Sequence, residues 1–142
     1  TTAFRNSGIM IHAYLMYGFP TQTAQETIDS LEIVRQLFEQ KLLQSAFWHR
    51  FAMTVHSPIG MNPSKYGVAR IPAKNSFTQN GCEHIDKLGC DHEKFSKGLT
   101  KALYNFIHDN GINFNLQDWF DFKIPNTKIP PNYIAQMLKN NK

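Results

Sequence analysis

Cysteine is scarce in this chain of 142 residues: Cys82 and Cys90 are the only two, with seven residues between them. Two cysteines make at most one bridge, so a disulfide-stapled scaffold is excluded and a reducing cytoplasm is the expected compartment. Long hydrophobic runs are missing as well. The longest, Ile9–Tyr17, contains His12 and falls far short of the roughly 20 apolar residues of a membrane-spanning helix. No basic-then-apolar leader opens the chain, so secretion is not expected. Neither G-x-S-x-G nor G-x4-G-K-[ST] occurs, which removes the serine-hydrolase elbow and the phosphate-binding loop. Charge is low, at 18% of residues with a net +4. Residues 1–60 carry four basic and four acidic side chains, and the surplus lies in residues 61–142, with eleven basic and seven acidic. Those lysines are scattered. No basic run marks a nucleic-acid surface, and a solvated face is the simpler reading.

What is present is apolar and aromatic. Hydrophobic residues reach 42% and aromatics 13%, eleven of them Phe, enough to pack a core in a one-domain length. The first sixty residues read as strand, helix, strand. Ile9–Tyr17 (IMIHAYLMY) is nearly continuous in apolar residues, as in strands of a parallel sheet. Gly18-Phe19-Pro20 ends it. Thr23 and Glu26 stand at capping-box spacing, and Ile28, Leu31, Val34, Leu37 and Phe38 then recur at helical spacing to about Gln40. Phe47–Val55 (FWHRFAMTV) reads as the second strand and stops at Ser57-Pro58-Ile59-Gly60. A strand, a crossover helix and a strand in sequence make a parallel β-α-β unit.

Side-chain parity then sorts the faces. In the first strand Ile9, Ile11, Ala13 and Leu15 share the side expected to carry the helix; Met10, His12, Tyr14 and Met16 share the other. In the second, Phe47, His49, Phe51, Met53 and Val55 are expected on the helix side, and Trp48, Arg50, Ala52, Thr54 and His56 on a lumen or cleft side. The alternative for His12, Tyr14 and Arg50 is an ordinary place in the core or at an edge. Residues 61–90 look irregular, a linker or surface excursion rich in Pro, Gly, Asn and Ser. From Asp91, placed as a cap, Phe95, Leu99, Leu103, Phe106 and Ile107 form a helical stripe, with Gly111 at the C′ position. Trp119, Phe120 and Phe122 follow as anchors, and Pro130-Pro131 leads a short last helix carrying Ile134, Met137 and Leu138.

The string YLMYGFPTQTAQETIDSLEIVRQLF resembles the late-barrel signature of radical S-adenosylmethionine enzymes, of the methylthiotransferase-like and cobalamin-linked kind. The residues that carry it are Leu15-Met16-Tyr17, Gly18-Phe19-Pro20, Thr23 and Glu26. FAMTVHSPIG is similar to the next barrel strand and its loop. DHEKFSKGLTKALYNFIHDNG followed by DWF resembles, more loosely, the C-terminal extension of the cobalamin-linked subgroup. The resemblance implies an α/β fold: residues 1–60 as the last β-α-β unit of a partial (β/α) barrel, 61–90 as a linker, and 91–142 as a mainly helical extension.

It also implies a [4Fe–4S] cluster on C-x3-C-x2-C cysteines, S-adenosylmethionine on the open iron site, a 5′-deoxyadenosyl radical, and in some members cobalamin. The chain departs from that pattern because the cluster motif and the earlier barrel strands are absent. The expectation is therefore a C-terminal part of a longer enzyme, inactive alone. Its partner would be the missing N-terminal barrel portion, or a second copy. By resemblance, Gly18, Phe19, Pro20 and Arg50 border the cofactor, and Tyr14, Trp48 and Thr54 face substrate or lumen. Arg50 suits a carboxylate, the alternative being an ion pair to an acid elsewhere in the barrel. His56 is the candidate for proton transfer, the alternative being a strand-end cap.

Two further readings stay open. Cys82-Glu83-His84 and Cys90-Asp91-His92 supply thiolate and imidazole ligands of the kind zinc prefers, at a tighter spacing than common fingers; the alternative is two free thiols and two surface histidines. The competing function is a stand-alone α/β binding or interaction module without catalysis.

Overall fold

The computed structural model describes residues 2–72, 80–87 and 89–140. The described residues are mixed α/β, with five α-helices and short strands. A short helix, α1 (Thr2–Asn6), precedes β1 (His12–Tyr17), α2 (Ala24–Glu39) and β2 (Ser45–Arg50). β1 and β2 pair in parallel, His12 opposite Ser45 through to Tyr17 opposite Arg50. The strand-helix-strand order is as the sequence implies. Among the described residues the sheet holds these two strands alone, so no closed barrel forms.

Local chemistry explains the crossover. Thr23 accepts from the Glu26 amide at 3.2 Å, and the Glu26 carboxylate accepts from the Thr23 amide at 2.8 Å. That reciprocal box satisfies two donors that the helix start leaves open. The backbone hydrogen bond from Thr23 holds the Glu26 carboxyl below its ordinary pKa. One face of α2 then buries Ile28, Leu31, Val34 and Phe38.

The sheet buries one face only. Ile11 just before β1, Ala13, Leu15 and Tyr17 of β1, and Ala46 and Trp48 of β2 join the main core. For β1 this is the side expected to carry the helix. For β2 the parity is reversed: Trp48 lies in the core, edge-on to Tyr17 at 6.3 Å, while Phe47 and His49 lie on the open side. Each β2 face offers large aromatic groups, so hydrophobicity alone does not choose between them; the register with β1 does. β2 also stops at Arg50, five residues before the expected end, and β1 starts at His12 rather than Ile9.

The described residues within 58–86 are less irregular than expected. Helix α3 (Pro58–Met61), a 3-10 turn (Pro63–Tyr66) and an antiparallel pair, β3 (Val68–Arg70) with β4 (His84–Asp86), occupy most of the described part. Met53, Ile59 and Val68 form a second small core there, with Phe51, Tyr66 and Cys82 against it. Gly60 permits this turn. A Cβ on it would lie 1.9 Å from the Thr54 carbonyl oxygen.

The remaining helix, α4 (Glu93–Ile107), packs on β2 and α2, and α5 (Tyr133–Asn140) packs on α2. The expected α4 caps move by one or two residues. His92 is the N-cap, without a side-chain capping bond, and Asp91 pairs with Lys94 instead. Asp109, at φ 56°, holds the left-handed position after the helix; Gly111 (φ 65°) serves the next turn, where a Cβ would meet the Trp119 ring at 2.6 Å. No described helix is long and apolar enough to cross a membrane.

Asp29 ties α2 to the C-terminal segment. Its carboxylate accepts from the Lys128 amide at 2.7 Å, the Thr127 hydroxyl at 2.8 Å and the Gln25 amide at 3.0 Å. Partial burial pushes the carboxyl up, but these bonds outweigh it and hold the pKa below its ordinary value. A depressed folded-state pKa stabilises the fold above the unfolded value, about pH 4, and that contribution disappears as pH falls through the folded value. Asp29→Asn should flatten the acid limb of stability as pH falls below about 4, the unfolded value. Thermal melts across that range check it, and an acid limb identical to wild type would count against the linkage.

Candidate functional site

Parallel strands converge their loops at one end, and in α/β proteins that carboxyl end is where ligands sit. Here the loop after β1 is Gly18-Phe19-Pro20. Gly18 adopts φ 77°, a left-handed conformation that favours glycine. It also lies close to neighbours, since a Cβ would stand 3.4 Å from His92 Cβ and 3.6 Å from Arg50 Cγ. Gln22 secures the turn, its Oε1 accepting from the Gly18 amide at 2.6 Å and the Phe19 amide at 3.2 Å. Pro20 is buried, and Phe19 is exposed, edge-on to Phe51 at 5.1 Å. Thr21 sits at φ 73°, an uncommon conformation for a β-branched residue.

After β2 the chain borders an open groove of about 540 Å³, lined by Arg50, Phe51, Met53, Ile71, Cys82 and His84, among others. The Phe51 ring contacts His84 edge-on at 5.9 Å. Arg50 forms an ion pair with Glu93 at the start of α4. The acid that sequence reasoning placed elsewhere in a barrel is therefore within the chain. Gly18, Phe19 and Arg50 thus come together at this end of the sheet.

The other expected site residues separate. Tyr14 is exposed on the open sheet face, stacked on His49 at 5.3 Å. Trp48 is on the opposite, buried face, which corrects its expected lumen position. Thr54 is half-buried beyond β2, its carbonyl accepting from Ser57 Oγ at 2.7 Å. His56 is exposed in the turn before α3 and is not among the groove residues.

Cys82 and Cys90 are both free thiols. Cys82 lines the groove, while Cys90 packs against the main core. Cys90 Sγ is 3.5 Å from His92 Nδ1, and His92 Nε2 is 3.5 Å from Asp86 Oδ2. The two ring nitrogens of His92 thus face different partners rather than one common centre. Among the described residues no group of three or more His, Cys, Asp or Glu is placed to hold a metal ion. The expected Cys82, His84, Cys90, His92 set therefore does not converge. Asp86 was missed in the sequence because it belongs to no ligand-spaced motif. Its carboxylate accepts from the Thr21 amide and from the Gly89 amide, each at 2.8 Å. Burial, then Asp86 and Asp91, push the Cys90 thiol pKa up.

No protein-family model, curated protein or solved structure matches the chain.

Proposed function

We propose that these residues are the C-terminal portion of a radical S-adenosylmethionine enzyme, contributing late barrel strands that line the cofactor and substrate cavity and inactive by themselves. One observation carries the reading: among the described residues, the parallel β-α-β unit leaves a whole sheet face and two strand edges uncovered. Tyr14 is 77% exposed, Met16 58% and Phe47 54%. A parallel sheet is ordinarily covered on both faces, and unpaired edges invite further strands. The missing N-terminal barrel portion is the proposed cover, with Gly18, Phe19 and Arg50 at the mouth of the completed cavity.

The iron–sulfur cluster does not fit the residues present. Two cysteines, one on the groove and one against the core, do not make its three-thiolate set, so its ligands must come from upstream sequence. S-adenosylmethionine has more to meet: the exposed Phe19 ring for apolar surface, and Arg50 for a carboxylate. Arg50 would take that carboxylate by exchanging Glu93. Whether cobalamin is bound is a property of the missing portion.

The upstream coding sequence tests this. A C-x3-C-x2-C motif there, and a full-length protein that binds a [4Fe–4S] cluster and forms 5′-deoxyadenosine, is the expected result. A frame opening just before Thr1, with no cluster bound, would overturn it in favour of a stand-alone binding module. In the full-length enzyme, Arg50→Ala should weaken S-adenosylmethionine binding roughly tenfold or more. Its stability should change little, because the Glu93 pair is exposed. Unchanged binding and turnover would make Arg50 structural.

A further inference from the structure

The groove, the open sheet face and the basic ridge of α4 each lack a feature that selects an occupant. The ridge, Lys94, Lys97 and Lys101, is largely matched by Asp91, Asp121 and the Trp119 ring. The cluster at Cys90 is different, because its parts are ordered in a chemical sequence.

We propose that Cys90, His92 and Asp86 form a thiol–imidazole–carboxylate relay, making Cys90 a site of exchange with small disulfides. This is independent of the radical-enzyme reading. Three observations support it. First, the nucleophile, the base and the group that orients the base stand in line, 3.5 Å and 3.5 Å apart, through the two different nitrogens of one ring. A nucleophile within reach of a base, itself held by a third group, is the general signature of an activated side chain. Second, the base and its partner are held in place. The side chains of His92 and Asp86 are 7% and 9% exposed, and Asp86 is fixed by the Thr21 and Gly89 amides. Gly89 has room for no side chain, since a Cβ would lie 2.1 Å from Asp86 Oδ2. Third, Cys90 itself is only half-buried. It lies two residues before the N-cap of α4, His92, whose side chain does not cap the helix amides, so the positive end of the helix dipole is near developing negative charge.

The step balances as follows. His92 Nδ1 takes the Cys90 proton, and Asp86 steadies the resulting imidazolium. The thiolate attacks one sulfur of the incoming disulfide; its S–S bond breaks and a mixed disulfide forms on Cys90. The departing thiolate takes the proton back from His92. Cys90 is oxidised, and half of the small disulfide is reduced to a free thiol. His92 is needed because burial and the two acids otherwise keep this thiol protonated at neutral pH. The same acids favour a cationic disulfide over an anionic one. His92 is the base acting on the reacting thiol; Asp86 is a positioning residue.

The test compares the two cysteines of the full chain, each the other's control. Trypsin separates them, because Lys87 lies between Cys82 and Cys90, so mass spectrometry reads both rates from one reaction. With cystamine near pH 7, Cys90 should react about tenfold faster than Cys82. Dithiodiglycolate should narrow that ratio. His92→Gln should slow Cys90 tenfold or more, about the least expected of a lost base, while Cys82 keeps its rate. Asp86→Asn should slow Cys90 by less. If either variant unfolds, the wild-type pH profile decides alone. Assisted attack makes the Cys90 rate rise clearly less than tenfold per pH unit near neutrality, whereas an unassisted thiol below its pKa rises tenfold per unit. A rate rising in that way, a Cys90 no faster than Cys82, or a Cys90 faster with dithiodiglycolate than with cystamine would each overturn the proposal.

Discussion

Phe106→Ala should remove about 3–5 kcal/mol of folding stability. Phe106 is wholly buried on α4. Its ring meets Phe38 of α2 at 6.4 Å and stands perpendicular to Trp119 at 5.7 Å. It therefore joins the crossover helix, α4 and the aromatic anchor after α4. Truncation leaves a ring-sized cavity among groups held by other contacts, so the site closes only in part. A small domain has about 5–15 kcal/mol in total, which makes this loss a large share of it. Urea unfolding measures the midpoint shift. A cost under about 1 kcal/mol would mean the core at α2 and α4 collapses freely around the gap.

Glu32→Ala should be comparably severe, at about 3–5 kcal/mol. Glu32, Arg35 and Gln36 are all buried on one face of α2. Glu32 accepts from Arg35 Nε at 2.9 Å, Arg35 Nη2 at 2.8 Å and Gln36 Nε2 at 2.8 Å. The network reaches outward. Arg35 Nη1 donates to the Ile112 carbonyl at 3.0 Å and Gln36 Nε2 to the Pro130 carbonyl at 2.7 Å, while Gln36 Oε1 accepts from the Ile134 amide at 3.0 Å. The Glu32 hydrogen bond holds the Arg35 guanidinium above its ordinary pKa. Without Glu32 the buried Arg35 cation loses its two closest carboxylate bonds and keeps only the half-exposed Glu39, at 3.4 Å, and the Ile112 carbonyl. The double variant Glu32→Leu, Arg35→Met should recover much of the loss, since apolar replacements of a buried pair are often neutral. Chemical denaturation of both variants near pH 7 tests this; a single variant as stable as wild type would refute it.

The β-α-β unit was legible because its signals are local. A capping box is read over four residues, and the stripe from Ile28 to Phe38 repeats at one period. The facing of β2 was not, because Phe47 and Trp48 are both large and apolar. Their assignment depends on pairing with a strand 33 residues away, which parity within β2 does not carry. The Gly18, Phe19 and Arg50 neighbourhood followed from strand order, since both strands end at one edge. The partner of Arg50 did not, because Glu93 lies 43 residues on in sequence and reaches Arg50 only once α4 docks on β2. Asp86 was hidden for a related reason. Its role is set by the amides of Thr21 and Gly89, and backbone donors leave no mark in side-chain spacing. The β3–β4 pair is three residues per strand, below the length at which alternation can be recognised.

The division of the main core between the two ends of the chain has a consequence for synthesis. β1, α2 and β2 leave the ribosome first, but Leu99, Leu103, Phe106 and Trp119, which seal the underside of that unit, emerge some fifty to seventy residues later, by the numbering. At about 5–20 residues per second, the nascent unit waits several seconds with the surface that α4 later covers still exposed. Chaperone capture during elongation, rather than after release, is where such a chain finds its protection.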